Sequence, residues 1–95
     1  MLENKIEQKL RQEVERIGGK AYKLESQGNA GMPDRLVCLS QGRVVFVETK
    51  KPKGGRLSKL QQFRISELNG MGFDARVINT YEQIQEFIAE VTNGI

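Results

Sequence analysis

Residues 33–50, PDRLVCLSQGRVVFVETK, form the stretch of sequence that decides the fold. Residues 43–49 are rich in β-branched and aromatic side chains and give the strongest strand signal in the chain. Residues 35–39 form a second apolar run, and the turn-forming residues 40–42 (SQG) separate the two. The stretch therefore predicts an antiparallel β-hairpin.

The length of the hairpin loop decides which side chains face each other. A two-residue turn would place Asp34 opposite Thr49, whereas a three-residue loop with Gly42 in the left-handed conformation places Asp34 opposite Glu48. Directly opposed residues share one face of the sheet, with Cβ atoms about 5 Å apart. In the second register two carboxylates meet, and they repel each other unless a cation lies between them.

Helix and strand patterns continue on both sides of the hairpin. A first helix over residues 3–17 is predicted by an apolar stripe of Leu2, Ile6, Leu10, Val14 and Ile17. The remaining elements are a strand at 20–24, a loop at 25–33, a helix at 58–71, a strand at 73–79 and a third helix capped by Thr80. Because a helix connects the third and fourth strands, these two should be parallel. The order α-β-β-β-α-β-α over one domain, residues 1–95, predicts an α/β fold with a small mixed sheet flanked by helices.

The composition excludes several classes of protein. The chain has no histidine and one cysteine, which excludes His-dependent nucleases, Ser-His and Cys-His nucleophile pairs, Cys-clustered zinc and internal disulfides. With 95 residues, 38% of them apolar, it can form one modest core. No apolar run approaches the roughly 18 residues of a membrane span, and the N-terminus lacks a secretory signal. The sequence therefore predicts a cytoplasmic protein without a membrane partner or a small-molecule cofactor.

Positive charge is concentrated in one segment, residues 50–64. This segment holds six basic residues and no acidic one, while the rest of the chain holds nine basic and twelve acidic residues. Such a segment on an otherwise acidic domain indicates a polyanionic partner, although a solvated flexible loop is the alternative interpretation. The basic residues expected to hold a nucleic-acid backbone are Lys51, Lys53, Arg56 and Lys59.

The acidic residue near the end of the third strand indicates a metal site. Glu48 follows Val44 and Phe46 on one face of the strand, and this face is expected to be buried. A buried carboxylate is costly unless it is paired or binds a cation. Asp34 and Glu48, with the backbone carbonyl of Thr49 as a further oxygen ligand, favour Mg²⁺ or Mn²⁺ in a chain without imidazole.

A lysine beside this acidic pair predicts hydrolysis of a phosphodiester. Lys50 shares the face of Glu48, where it can orient the attacking water or stabilise negative charge developing on the phosphate. Two structural alternatives remain open. Glu48 would form only a strand-end salt bridge with Lys50 or Arg35, and Asp34, following Pro33, would be a simple turn residue.

Two short motifs, PD at 33–34 and ETK at 48–50, resemble the signature of the PD-(D/E)XK nucleases. The longer stretch 18–50, followed by GGRLSKLQ at 54–61, closely resembles the VRR-NUC branch of that superfamily. The resemblance covers roughly residues 3–88. It implies a restriction-endonuclease-like fold and metal-dependent cleavage of DNA. Stand-alone members resemble Holliday-junction resolvases, which implies branched DNA as substrate and a homodimer, in the host cytoplasm if the protein is phage-encoded.

The resemblance also implies two further site residues. One is a glutamate on the first helix that completes the metal site; Glu7 is favoured over Glu3 because it borders the apolar stripe. The other is a catalytic glutamine on the helix after the basic segment, matched by Gln61. Gln61 also fits a capping box with Ser58, so a purely structural role is its alternative.

Three functions compete at this point. The first is a Mg²⁺- or Mn²⁺-dependent DNA endonuclease with Asp34, Glu48, Lys50 and Gln61 as catalytic residues. The second is a non-catalytic nucleic-acid-binding module that uses the basic segment 50–64, and the third is a protein-interaction domain. The acid–acid–lysine set favours the first, because a pure binder gains nothing from carboxylates beside phosphate. For the dimer, the predicted interface is the region around Tyr81 and Phe87 or an exchanged N-terminal helix.

Overall fold

A four-stranded mixed sheet with three helices forms the structure, a computed structural model that describes residues 3–93. The elements are α1 (Lys5–Arg16), β1 (Lys20–Lys23), β2 (Arg35–Cys38), a 3₁₀ turn (Ser40–Gly42), β3 (Val44–Thr49), α2 (Lys59–Gly70), β4 (Asp74–Ile78) and α3 (Tyr81–Asn93). The predicted order and α/β class are thereby confirmed. Leu2, the first residue of the predicted stripe, lies outside the described residues. Within residues 3–93, no helix has the length and apolar character needed to cross a membrane.

The hairpin adopts the three-residue loop. The backbone N–H of Leu39 donates to the carbonyl of Arg43 at 2.8 Å, and β2 and β3 are antiparallel. Gly42 takes the expected left-handed conformation with φ +75°, and Gln41 also has a positive φ, 64°. Arg35 pairs with Val47, so extending the register by one residue places Asp34 opposite Glu48.

The strand order in the sheet is β1-β2-β3-β4. β1 and β2 are antiparallel, like β2 and β3, whereas β3 and β4 are parallel and α2 forms the connection between them. This agrees with the predicted directions of the strands. The carboxyl end of β3 and the start of β2 therefore lie side by side at the same edge of the sheet.

Helices α1 and α3 pack together on one face of the sheet and close the main core. The capping box of Asn4 and Glu7 starts α1 at the edge that carries the acidic pair. The buried side chains of this core come from both helices and all four strands: Ile6, Leu10, Val14, Ala21, Val37, Val45, Val47, Ile78, Ile84, Phe87, Ile88 and Val91.

The sequence interpretation chose the wrong face of β3 as the buried one. The core face carries Val45 and Val47, whereas Val44 on the opposite face is exposed and Phe46 is half-buried. The reason is the uneven covering of the sheet: α2 packs over β4 and buries only Leu68, so much of the second face stays open. Glu48 lies on this second face and is nevertheless buried, at 5% exposure.

The predicted dimer surface around Tyr81 and Phe87 is also corrected in part. Tyr81 is 49% exposed, but Phe87 is only 2% exposed, and the guanidinium of Arg76 lies 5.1 Å from the centroid of its ring. Phe87 is a core residue of α3, because the stripe that it shares with Ile84 faces the sheet. It cannot contribute to an interface without unpacking the core.

Candidate active site

Two carboxylates share the edge of the sheet where β2 begins and β3 ends. Glu48 is buried, and burial raises the pKa of its carboxyl, with a further rise caused by the negative charge of Asp34. Burial likewise raises the pKa of Asp34, and the charge of Glu7 adds to this effect. Burial and neighbouring negative charge therefore make ionisation of both acids more costly, which favours a cation at this position.

Thr49 fixes the orientation of the Asp34 carboxylate. The backbone N–H of Thr49 donates to Oδ1 of Asp34 at 3.0 Å, and the Thr49 hydroxyl donates to Oδ2 at 2.7 Å. These two bonds lower the pKa of Asp34 but do not cancel the effect of burial. The sequence interpretation assigned only the Thr49 carbonyl a role and missed both donors. The three-residue hairpin register was the signal that could have suggested them.

Lys50 and Gln61 meet at the same oxygen of Glu48. The ammonium Nζ of Lys50 lies 3.3 Å from Oε2 of Glu48, and the Gln61 amide donates to that oxygen at 3.2 Å. Gln61 also completes the capping box of α2: its Oε1 accepts from the Ser58 N–H at 2.9 Å, and its own N–H donates to the Ser58 hydroxyl. The two interpretations of Gln61 are thus compatible in a single conformation.

Glu7 and Glu3 both face Arg35 rather than the acidic pair. Oε2 of Glu7 lies 3.0 Å from Nε and 2.9 Å from Nη2 of Arg35, and Glu3 binds the same guanidinium as well as Arg11. Glu7 is close enough for its charge to act on Asp34. In the part of the chain that the structure describes, no three acidic or thiol side chains are gathered tightly enough to hold a metal ion by themselves.

Arg35 is a residue whose structural role the sequence did not reveal. It is 5% exposed, and besides Glu7 and Glu3 its guanidinium donates to the carbonyl of Ala21 in β1 at 2.9 Å. It points to the core face of β2, so it does not form the salt bridge with Glu48 that was one structural alternative. An arginine within the apolar run RLVCL was the available signal, because a buried guanidinium requires acidic partners.

The donor set at this edge fits a hard divalent cation. Asp34, Glu48 and the backbone carbonyl of Thr49 are all oxygen donors, and burial raises the pKa values of the two acids more than the nearby positive charges lower them. Lys50 offsets part of the charge of Glu48 but does not restore an ordinary pKa. Oxygen ligands of this kind suit Mg²⁺ or Mn²⁺.

The basic segment begins directly beside the acidic pair. Lys51, Lys53, Arg56 and Lys59 are all exposed, and none of them forms an ion pair with the residues from 3 to 93. Lys50, Lys51 and Arg56 line a cavity of about 360 Å³ together with Asn4, Thr49 and Gly54–Gly55. Positive charge is therefore available next to the acids, where a polyanion would be bound.

The loop before Asp34 touches α2 without an intervening side chain. Gly31 has φ +85°, and a Cβ atom placed on it would lie 2.7 Å from Cγ and 3.0 Å from the backbone of Leu60. Arg64 of α2 also donates to the carbonyl of Ala30 at 3.0 Å. The loop that carries Asp34 and the helix that carries Gln61 are thus fixed against each other.

A substitution at Gln61 is predicted to separate its two roles. Gln61→Glu keeps the capping box with Ser58, because glutamate serves equally well at this position, but it replaces the donor to Glu48 with a negative charge. With a cation bound, which neutralises Glu48, we expect the melting temperature to be unchanged. The cleavage rate should fall about 10- to 100-fold, as expected for the loss of a hydrogen bond to a charged group. Gln62→Glu, one residue further on the exposed side, is the matched control. A large fall in stability without a fall in rate would contradict the catalytic role.

Comparisons with known proteins identify the family and the fold of this chain. The model of the VRR-NUC domain family matches residues 2–82. A protein named "Putative nuclease p44" from Acyrthosiphon pisum secondary endosymbiont phage 1 is 40% identical over 80 residues, which cover 84% of this chain and 85% of that protein. A solved structure described as a "VRR_NUC domain" has 25% sequence identity and a TM-score of 0.85, covering 98% of this chain and 97% of the other.

The fold and the site together define a nuclease domain. The chain belongs to the VRR-NUC family, since the family model spans most of its length. The resemblance identified from the PD and ETK motifs is therefore confirmed at the level of the family and of the fold.

Proposed function

We propose that the protein is a divalent-metal-dependent endonuclease of the PD-(D/E)XK type that hydrolyses DNA phosphodiester bonds. The observation that carries the proposal is the meeting of Lys50 and Gln61 on the carboxylate of Glu48, opposite Asp34, at the start of the basic segment. A module that only bound nucleic acid would hold phosphate next to two carboxylates of raised pKa, which repel it.

In this mechanism Asp34, Glu48 and the Thr49 carbonyl would hold Mg²⁺ or Mn²⁺. When bound, the ion would supply positive charge to the phosphate and make water a stronger acid. Thr49 keeps the carboxylate of Asp34 in one orientation through two hydrogen bonds, so that little reorganisation is needed during the reaction. Glu7 contributes to the negative charge of the site while it remains paired with Arg35.

Lys50 and Gln61 act on the reacting phosphate and water. The ammonium of Lys50 is held next to Glu48, where it stabilises negative charge that develops on phosphate oxygens. From the N-terminus of α2, Gln61 donates a hydrogen bond to the carboxylate of Glu48 and positions the attacking water. Lys51, Lys53, Arg56 and Lys59 hold the flanking DNA backbone and supply the salt-dependent part of the affinity.

A cleavage assay on three forms of DNA tests this proposal. The protein is incubated with a four-way junction, a linear duplex and a single strand, each with Mg²⁺, with Mn²⁺ or with EDTA. We expect cleavage of the branched substrate with either metal and none with EDTA. The junction is expected to be preferred because the basic segment contacts backbone, which favours recognition of shape over base sequence. Binding to DNA without cleavage under every metal condition would instead support the non-catalytic alternative.

Metal binding is predicted to raise the melting temperature in a pH-dependent way. The ion needs ionised Asp34 and Glu48, so the rise should be largest near neutral pH and should shrink as pH falls through their raised pKa values. Without metal, the contribution of Asp34 and Glu48 to stability changes with pH in the opposite direction. The contribution of these two carboxyls to stability is fully present below the ordinary pKa values of 3.8 and 4.5 and is lost as pH rises through the raised values. Differential scanning fluorimetry from pH 4 to 8, with and without Mn²⁺, measures both trends; a pH-independent metal effect would argue against this site.

A homodimer in the host cytoplasm would supply two such sites for paired cuts in a junction. The phage source of the similar p44 protein supports a phage-encoded function. The apolar surface available for the dimer is the open face of the sheet, where Tyr22, Val44 and Phe73 are exposed and Phe73 stacks edge-on against Phe46. Light scattering at micromolar concentration should give a mass of about two chains. A mass near one chain, 10.8 kDa, with and without junction DNA would contradict the dimer.

A further inference from the structure

Three adjoining cavities, together called the groove here, extend from Thr49 and Lys50 across the start of α1 to the start of α3. Its first part is the cavity of about 360 Å³ beside Thr49 and Lys50. The second part, about 600 Å³, shares Asn4 and Lys51 with the first. The third part, about 340 Å³, shares Lys5, Ile6 and Pro52 with the second and ends at Thr80–Glu82. Neighbouring cavities share lining residues, so they adjoin one another along the surface.

The lining of this groove combines an apolar floor with a basic rim. Pro52 contributes exposed apolar surface in the middle of the path, where the neighbouring Ile6 is only 3% exposed, and Tyr81 presents a half-exposed aromatic ring at its end. The basic side chains along the path are Lys50, Lys51, Lys53, Arg56 and Lys5. Two acids also line it: Glu3 is neutralised by Arg35 and Arg11, while Glu82 lies beside Tyr81.

We propose that this groove binds a single-stranded nucleic-acid segment that adjoins the cleaved phosphodiester. Lys5 contacts its backbone, and a base stacks on Tyr81 and Pro52. Aromatic rings interleaved with basic side chains are the usual means of holding a single strand, because every base has a face that can stack. Parts of a few hundred Å³ accommodate individual nucleotides but not the full width of a duplex.

The basic rim favours this occupant over a protein segment. An apolar peptide would leave the ammonium groups of Lys5, Lys51 and Lys53 without partners, whereas a nucleic-acid strand offers one phosphate per nucleotide. The groove begins at Thr49 and Lys50, which belong to the proposed site of cleavage, so a strand that occupies it can be continuous with the cleaved bond. The inference rests on the proposed nuclease function and extends it. An unpaired flank held between Lys5 and Tyr81 would explain the proposed preference for branched DNA.

Binding measurements with and without an unpaired flank test the groove. Lys5→Ala is compared with Lys20→Ala, which removes an exposed lysine from β1, and Tyr81→Ala is compared with Tyr81→Phe, which keeps the aromatic ring. Affinity is measured by fluorescence anisotropy for a duplex with a single-stranded overhang, on either strand, and for the same duplex with blunt ends. Ca²⁺ replaces Mg²⁺ to prevent turnover.

We expect Tyr81→Ala to weaken binding of one of the overhang substrates by about 5- to 100-fold, and to leave blunt duplex unchanged. Lys5→Ala should lower the slope of log affinity against log salt by about 0.7, the single-strand value for one lost phosphate contact. Tyr81→Phe keeps the ring and should bind like the unaltered protein, which separates stacking from any effect on folding at the start of α3.

Equal losses for Tyr81→Ala and Tyr81→Phe, or equal losses on overhang and blunt DNA, would overturn the groove assignment. Displacement of the overhang by an acidic peptide as efficiently as by an unlabelled strand would do the same. Cleavage by the unaltered protein with Mg²⁺ is measured in parallel. Absence of cleavage there refutes the nuclease proposal, whereas cleavage without any effect of Tyr81 or Lys5 refutes only the groove.

Discussion

Asp34→Asn is expected to abolish cleavage while the protein still binds DNA, with unchanged or higher affinity. The substitution removes a carboxylate from the proposed cation site, and the loss in rate should be roughly 10³-fold or more, as for other removed catalytic groups. It also removes negative charge next to phosphate, so repulsion of the DNA falls. The side-chain oxygen of the asparagine can still accept from the N–H of Thr49, which preserves the local fold. Single-turnover cleavage and anisotropy on the same junction measure the two effects.

Glu25→Gln provides the matched control for this experiment. Glu25 is an exposed acid in the loop that leads to Asp34. Its replacement by glutamine changes the net charge by the same amount as Asp34→Asn and leaves the site intact. It should leave the cleavage rate within about twofold. Cleavage by Asp34→Asn at a rate close to that of the unaltered protein would contradict the assignment of Asp34, whatever the effect on DNA affinity.

The second large effect is expected at Lys50, and it should appear in the rate rather than in the affinity. Lys50→Ala removes the ammonium that lies 3.3 Å from Glu48, so we expect a single-turnover rate lower by roughly 10²- to 10³-fold. DNA affinity should change by less than threefold, because one contact among many phosphate contacts is lost. Rates at saturating protein concentration isolate the chemical step from binding.

Two exposed basic residues provide the opposite pattern. Lys53→Ala and Arg56→Ala should weaken DNA binding and flatten its dependence on salt, by a slope of about 0.7 to 0.9 each, without changing the rate at saturation. If Lys50→Ala reproduced this pattern and left the saturated rate unchanged, Lys50 would be a further backbone contact and not a catalytic residue.

The sequence predicted those parts of the fold that depend on local pattern. The loop SQG allows two hairpin registers, and the observed one, with a three-residue loop, brings Asp34 and Glu48 together. The capping box of α2 and the Thr80 cap of α3 follow from residues three apart in the chain, although the Gln83 side chain accepts from the Asn79 N–H and so does not complete the box predicted for α3. In each case the interacting groups are close in sequence or connected by a tight turn, so steric rules fix their positions.

Features that depend on packing between distant elements could not be predicted in the same way. The face of β3 that becomes the core is decided by where α1 and α3 settle, and alternation alone does not distinguish Val45 from Val44. The pairing of Arg35 with Glu7 joins residues 28 positions apart. The resemblance to known nucleases placed Glu7 at the metal, whereas the structure shows its carboxylate bound to Arg35, which leaves its direct coordination of an ion a prediction.

The contact between Gly31 and Leu60 has a consequence for any attempt to redesign the specificity of this nuclease. The loop that carries Asp34 and the helix that carries Gln61 come together where Gly31, with φ +85°, packs against Leu60. A Cβ atom at Gly31 would clash with Leu60, and the clash could be relieved only by moving the loop and the helix apart. At Gly28 a Cβ atom would meet open space, but φ +83° still strains any side chain there. The two glycines of the loop therefore share the same backbone constraint, and only Gly31 adds a packing constraint to it.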